Sequence, residues 1–403
     1  MKAVGLVVEY NPFHNGHRYH VEESKKQNDA DVAIAVMSGS FLQRGEPALI
    51  NKWDRAKMAL LGGVDLVIEL PYIFSTQHAV HFAEGSIGLL EALRCDTFCF
   101  GSENGTIEDF IQAYHVEKDN RATLDAYIKQ FSKEGFNYPT SVSMAWKKVN
   151  RDTDIGIDLS QPNNILGYQY VSAVLKNGYS IHPSLISRIG SNYHDEFLPK
   201  GQIASATSIR KAIMSQGGEA TQAAEFMPNG TYTLLFQYQE DNHLLHHWEL
   251  YWPLLQYTLL STPVDQLRTF YEVEEGIEFR LKEAAMSARS FNEFIHQVKT
   301  KRYTLTRLQR ICVHLLTKAE KEKMKKMVKE PSYLRILGFN EKGRAYLHER
   351  KKHFGLPVVT KAGSFRHPAL SYDIQAATIH SLPLPPAAKQ TMIIREFKQP
   401  VIL

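Results

Sequence analysis

From Ala3 to Val8 every residue is apolar or glycine, the pattern of a strand covered on both faces, and Pro12 forbids the run from continuing as strand or helix. The same pattern predicts strands over 32–37, 65–70, 97–101 and 179–186. Between them lie helical spacings: 17–27, a helix capped by Asn51 that runs to Leu61, 77–93, and 163–176 with Asn177 and Gly178 as its stop. Repeated strand–helix units mean an α/β fold, a Rossmann-like parallel sheet with helices on both faces, whose ligands bind beyond the carboxyl ends of the strands. Residues 119–158 read as a helical insertion in this unit. After SATSIRKAIMSQGG the alternation fades, and Pro228, Asn229 and Gly230 mark a boundary. The expectation is therefore a first domain over 1–227 and a mainly helical C-terminal domain over 228–403, with helices at 247–261, 275–288, 291–299 and 306–316.

Composition sets the class. A hydrophobic content of 43% and a charged content of 22% describe an ordinary globular protein, and 403 residues exceed what one core usually serves. The sequence shows neither a signal-peptide pattern nor an apolar run of the roughly 18 residues a membrane span needs, so a cytoplasmic protein is expected. Cys95, Cys99 and Cys312 have no ligand or disulfide spacing and read as reduced core thiols. Charge is uneven: between Lys299 and Lys352, 17 Lys and Arg face five Glu and no Asp, a surplus of 12 that leaves the remainder of the +4 chain at −8. Such a basic block on an acidic body suits a polyanion, although TKAEKEKMKKMVKE alone would pass as a solvated helix face packed through Met324, Met327 and Val328.

Chemistry concentrates after the first strand, where HNGH follows the Pro12 turn. Gly16 leaves room for close approach, the helix start aims free N–H groups and a positive dipole end at that place, and His14 and His17 can donate to phosphate oxygens. Both could stabilise the charge that builds when an α-phosphate is attacked. Further candidates follow other strand ends. Ser38, Ser40, Gln43, Arg44 and Glu46 are too many polar groups for a plain connection, and Lys52 and Arg55 either reach an anionic substrate or are solvated charges. Gly101 would let an adenine or ribose lie against the backbone, with Ser102 and Glu103 next to it. Arg188 follows the fifth strand, and Thr207, Ser208 and Arg210 open a helix, an anion site suited to the departing pyrophosphate. His78 and His81 repeat the spacing of His14 and His17, but a metal site there lacks further ligands; His194 and Asp195 share a polar loop with no assigned role. No Walker-type phosphate loop and no GxSxG string occurs.

HNGH after strand one resembles the HxGH signature of the nucleotidyltransferase superfamily. The wider strings GLVVEYNPFHNGHRYH, MSGSFLQRGEPALINKWDRAKMALLGGVDLVIELP and FGSENG are similar to the bacterial tRNA(Met) cytidine acetate ligase family, as are PNNILGYQY, SRIGSNYHD, ASATSIRKAI and TKRYTLTRLQR. The resemblance spans nearly the whole chain. It implies ATP as cofactor, with Mg²⁺ beside it, held by Val7, Val8, Glu9, Tyr10, Asn11, Pro12, Phe13, His14, Asn15, Gly16, His17, Arg18, Tyr19, His20, Gly101, Asn163, Arg188, Thr207, Ser208 and Arg210. Of these, His14 and His17 are the expected catalytic pair, and Asn163 alone would read as a helix cap. The second signature appears without its lysine-bearing KMSKS form. The resemblance further implies acetate activated as an acetyl-adenylate and transferred to N4 of the wobble cytidine of elongator tRNA(Met), without acetyl-coenzyme A and without a membrane. Two other readings stay open on the residues alone: a nucleotidyltransferase for a small phosphorylated metabolite, and a non-catalytic RNA-binding protein on this fold.

Overall fold

The computed structural model describes residues 1–150, 155–187, 203–215 and 220–403. Its centre is an eight-stranded sheet. The strands are β1 (Ala3–Val8), β2 (Val32–Ser38), β3 (Leu66–Leu70), β4 (Thr97–Ser102), β5 (His182–Ser187), β6 (Leu334–Phe339), β7 (Val358–Val359) and β8 (Val401–Ile402). Their order is β5-β4-β1-β2-β3-β6-β7, with β8 also paired to β6. The first five are mutually parallel, as the strand–helix alternation requires. Chain order reverses between β1 and β4, which makes the carboxyl ends of those two strands the topological switch point.

Side chains alternate across the sheet. Ala3, Ile34, Val36 and Ile68 enter one core, whereas Val4, Leu6, Ala35 and Val67 enter the other, so the unbroken apolar runs are those of strands covered twice.

Helices α1 (Asn15–Gln27), α2 (Lys52–Leu61), α3 (Tyr72–Ser75) and α4 (Ala79–Ala92) connect the first strands, and α5 (Ile107–Asp119), α6 (Arg121–Lys133), α7 (Tyr138–Val149) and α8 (Pro162–Asn177) lie between β4 and β5. Asn51 caps α2 through Trp53 and Asp54, and α8 stops at Gly178, which takes the left-handed φ of 63° that the stop signal needs. Beyond α9 (Ala206–Ser215) the chain is mainly helical: α10 (Asn229–Asn242), α11 (Trp252–Ser261), α12 (Val264–Leu267), α13 (Ile277–Ser287), α14 (Phe291–Val298), α15 (Leu305–Leu316), α16 (Lys321–Met327), α17 (Glu341–Arg350), α18 (Pro368–Ser381) and α19 (Pro386–Arg395). None of the described helices is long and apolar enough to cross a membrane.

The segment after Pro228 does more than the helical pattern foretold. It returns β6 to the sheet antiparallel to β3, and Phe294, Leu308 and Tyr333 enter the same core as Ile34 and Ile68. Residues 228–403 thus complete the hydrophobic interior of the first 227.

Candidate active site

The chain leaves β1 at Val8, passes Tyr10 at φ 47° and a cis Asn11–Pro12 bond, and starts α1 with His14 as its N-cap. Two histidines cap this helix reciprocally. The Gly16 N–H donates to Nδ1 of His14 at 3.1 Å, and the His14 N–H donates to Nδ1 of His17 at 3.3 Å. A nitrogen that accepts from an amide bears no proton, so each neutral ring carries its hydrogen on Nε2. The rings stack with centroids 3.7 Å apart, and Tyr10 and Phe13 wedge against His17 at 4.9 and 5.7 Å. A Cβ on Gly16 would lie 3.0 Å from the His14 ring, so glycine is what permits the cap. The expectation of free amides at this helix start is corrected here: the Gly16 amide is used by His14, and the imidazoles become the groups that can donate to an anion.

Both rings line a cavity of about 290 Å³ at the switch point. Val7 and Val8 from β1, Gly101 from β4 and Ser187 from β5 form its floor, Phe100, Leu166 and Tyr170 give it an apolar side, and Gln43, Arg44, Glu46, Thr207 and Arg210 a polar one. Arg210 donates to the Asn11 carbonyl at 2.9 Å and pairs with Glu46 at 3.0 Å, which ties α9 to the crossover. The polar loop is braced from the far half of the chain. Gly45, at φ 73°, sits so close to the Arg310 backbone in α15 that a Cβ could not fit, and the Trp248 indole N–H donates to its carbonyl at 3.0 Å.

Glu9, Tyr10, Asn11, Gly16, Tyr19, His20 and Asn163 also line the cavity, beside the residues already named. Five expected residues do not. Pro12 and Phe13 are buried beneath the turn; the Asn15 side chain donates to the Glu225 carbonyl at 3.0 Å; Arg18 points outward to Glu22 at 2.7 Å; and the Ser208 hydroxyl turns back to the Ser205 carbonyl at 2.9 Å. Arg188, His194 and Asp195 lie outside the described residues.

Lys52 and Arg55 neither line the switch-point cavity nor stand as solvated charges. Lys52 is 1% exposed and bound to Glu69 and Glu396 at 2.7 and 2.8 Å; Arg55 is fully buried and donates to the carbonyls of Glu9, at 2.6 Å, and Gly39. His81 pairs with Glu84, a carboxylate that Lys176 also holds.

Sequence reasoning missed how α8 is set. Glu103 accepts from the N–H groups of Asn163 and Asn164 at 3.2 and 2.9 Å, so a carboxylate beyond β4 caps the helix and takes the Asn163 side-chain amide as well. Buried Asn164 closes the set by accepting from Ser102 at 2.8 Å. The adjacent asparagines after Pro162 were the available signal. Of the 17 bases between Lys299 and Lys352, twelve are exposed, while Arg335 is buried.

Residues 1–393 match the family model described as HIGH nucleotidyl transferase. The tRNA(Met) cytidine acetate ligase of Geobacillus sp. strain WCH70 is 46% identical over 404 residues, covering all of both chains. The Bacillus subtilis protein of the same name is 47% identical over 402 residues, 98% of this chain and 96% of its own. Among solved structures, apo TmcAL of Thermotoga maritima is similar with a TM-score of 0.92 at 30% identity over the full length of both chains, and its form bound with α-thio ATP with a TM-score of 0.89. The chain belongs to the HIGH nucleotidyl transferase family and, within it, to the tRNA(Met) cytidine acetate ligases.

Proposed function

We propose that this protein binds ATP in the switch-point cavity, activates acetate as acetyl-adenylate, and passes the acetyl group to N4 of the wobble cytidine of elongator tRNA(Met). The observation that carries the reading is the stacked His14–His17 pair, whose Nδ1 atoms accept from the backbone, so that each neutral ring carries its hydrogen on Nε2, and whose rings line a cavity beyond β1 and β4. An acetate oxygen attacks the α-phosphorus, the bond to the β-phosphate oxygen breaks, and pyrophosphate leaves with the electron pair. The two imidazoles offset the charge that gathers on the α-phosphate oxygens, the developing-charge role for which fixed donors are effective. Thr207 and Arg210 at the start of α9 face the same space and suit the departing pyrophosphate.

Among the described residues no cluster of three His, Cys, Asp or Glu could hold a metal, and Glu46 is already paired with Arg210. The described residues therefore do not form a protein cage for Mg²⁺, an ion that commonly arrives on nucleotide phosphates with much of its water retained. The exposed bases after Lys299 supply the surface for tRNA, and α15 joins that surface to the pocket through Gly45.

The test is mass spectrometry of tRNA nucleosides after incubation with ATP and acetate. N4-acetylcytidine should appear only when both are present, and its formation without acetate, or its absence from the complete reaction, refutes the reading.

A further inference from the structure

Acetyl transfer, the second half of the proposed reaction, needs a proton acceptor. The exocyclic amine of cytosine delocalises its lone pair into the ring and attacks a carbonyl well only when its proton is removed as the new bond forms. His14 and His17 do not fill this role as neutral rings, because their unprotonated nitrogens are occupied by the N–H groups of Gly16 and His14. Of the two carboxylates among the described residues that line the cavity, Glu46 is ion-paired with Arg210 at 3.0 Å.

Glu9 is held differently. Its Oε1 accepts from the Gln43 N–H at 2.8 Å, and its backbone carbonyl accepts from Arg55 at 2.6 Å, a fully buried guanidinium that also binds the Gly39 carbonyl. The residue is therefore fixed at both ends. Its Oε2 makes no hydrogen bond to any described residue, and the side chain lines the cavity. A locked carboxylate with one open oxygen, in the same space as the Nε2–H donors, has the geometry of a general base.

We propose that Glu9 is the proton acceptor of the transfer step. As N4 of the cytidine bonds to the acetyl carbon, one N4 proton moves to Glu9 Oε2, and the bond from the acetyl carbon to the phosphate oxygen breaks with its electron pair on AMP. This rests on the acetate-ligase reading. The surroundings suit the task, since burial pushes the Glu9 carboxyl above its ordinary range and makes it a stronger base, with Glu46 acting in the same direction. The Gln43 N–H, Arg44 and Arg210 oppose that shift, and Arg55 on α2 and Tyr170 on α8 are the other titratable groups that sense Glu9. Sequence inspection names Glu9 only among the residues implied to hold ATP, because a single acidic residue after a strand has no pattern that marks a base.

The experiment separates the two half-reactions in the full-length enzyme. Acetate-dependent exchange of labelled pyrophosphate into ATP reports adenylation; single-turnover acetylation of tRNA(Met) from added acetyl-adenylate reports transfer. In Glu9→Gln, transfer should fall by roughly 10²- to 10⁴-fold, at least 100-fold more than exchange, with Glu9→Asp recovering part of the loss. The wild-type transfer rate should rise with pH through the Glu9 titration, and the Glu9→Gln profile should lose that limb. Equal losses in both half-reactions, or an unchanged pH profile, overturn the proposal. If Glu9→Gln does not fold, judged by its thermal melt, the pH profile of Glu9→Asp decides: a limb that does not move with the shorter acid overturns it. A wild-type enzyme without acetate-dependent exchange would instead refute the underlying reading.

Discussion

Two pairs of histidine rings lie almost equally close in this molecule. His14 and His17 lie 3.7 Å apart at the cavity; His246 and His380 lie 3.9 Å apart in the interior. Partners separate them. His246 is hydrogen-bonded through both nitrogens, to Tyr238 at 2.7 Å and Tyr251 at 2.6 Å, and His380 Nε2 donates to the Ala48 carbonyl at 2.8 Å. Burial holds both of these rings far below the ordinary histidine pKa, so they are neutral struts. In the outer pair Nδ1 of each ring accepts from the backbone, and both rings line the cavity. Ring spacing thus does not distinguish a chemical histidine from a structural one; placement at the cavity or in the interior does. The two pairs are also linked, because His246 and His380 hold the 48–49 backbone, whose Leu49 N–H in turn donates to Asn11 at 2.7 Å.

The largest effect should come from the outer pair. Replacing both His14 and His17 by Ala removes two donors aimed at developing charge, and acetate-dependent pyrophosphate exchange should fall on the order of 10³-fold or more. Stability should drop by only about 1 kcal/mol for the lost cap, read from denaturant melts. A melt that moves further than the rate would erase the contrast between the pairs.

Charged groups repeat the lesson. Glu9 keeps an oxygen at the cavity, whereas Lys52, Glu69, Arg335 and Glu396 satisfy one another in the interior, where Trp53 also donates to Glu396 at 2.9 Å. Lys52→Met leaves two buried carboxylates short of a cation and should cost about 4 kcal/mol of stability, while acetate-dependent exchange by the fraction that remains folded stays near wild type. A specific loss of exchange without loss of stability would move Lys52 into the chemistry.

The buried histidines set an acid limit. His314 is lowered to about 4 and His380 to about 3, mainly by burial. Below about pH 6.5 the unfolded chain binds protons at these positions that the folded chain refuses, so stability is greatest above that pH and declines as pH falls toward 4. Each group contributes a slope of about 1.4 kcal/mol per pH unit in that window. His314→Gln should flatten the slope in equilibrium denaturation between pH 6.5 and 4, and an unaltered slope would show that His314 titrates normally.

These contrasts mark what the sequence could disclose. β1 and its turn were legible because local patterns determine them: an apolar run, then Pro12, then HNGH. Asn51 and Gly178 act through neighbours a few residues away and were equally legible. Lys52 was not, since its partners Glu69 and Glu396 arrive from β3 and from the end of α19, and no spacing announces a partner more than 340 residues along the chain. β6 was hidden for the same reason. Arg335 inside Leu334–Phe339 reads as part of a basic surface block until Glu69 and Glu396 are seen to enclose it. Patterns that report burial do not report which buried charge will meet which.

The smallest effect concerns two neighbouring hydroxyls that sequence alone treats alike. Thr207 lines the cavity, whereas Ser208 is 1% exposed, with its N–H donating to the Ser205 hydroxyl at 3.0 Å and its own hydroxyl to the Ser205 carbonyl. One hydrogen bond to a charged phosphate is worth about 1.5 kcal/mol, so Thr207→Val should raise the KM for ATP roughly tenfold at unchanged stability. Ser208→Ala should do the reverse, lowering stability by about 1 kcal/mol and leaving that KM within twofold. The opposite assignment of KM and stability would mean that α9 presents its other face to the triphosphate, and would place the Ser208 hydroxyl in the site instead of behind it.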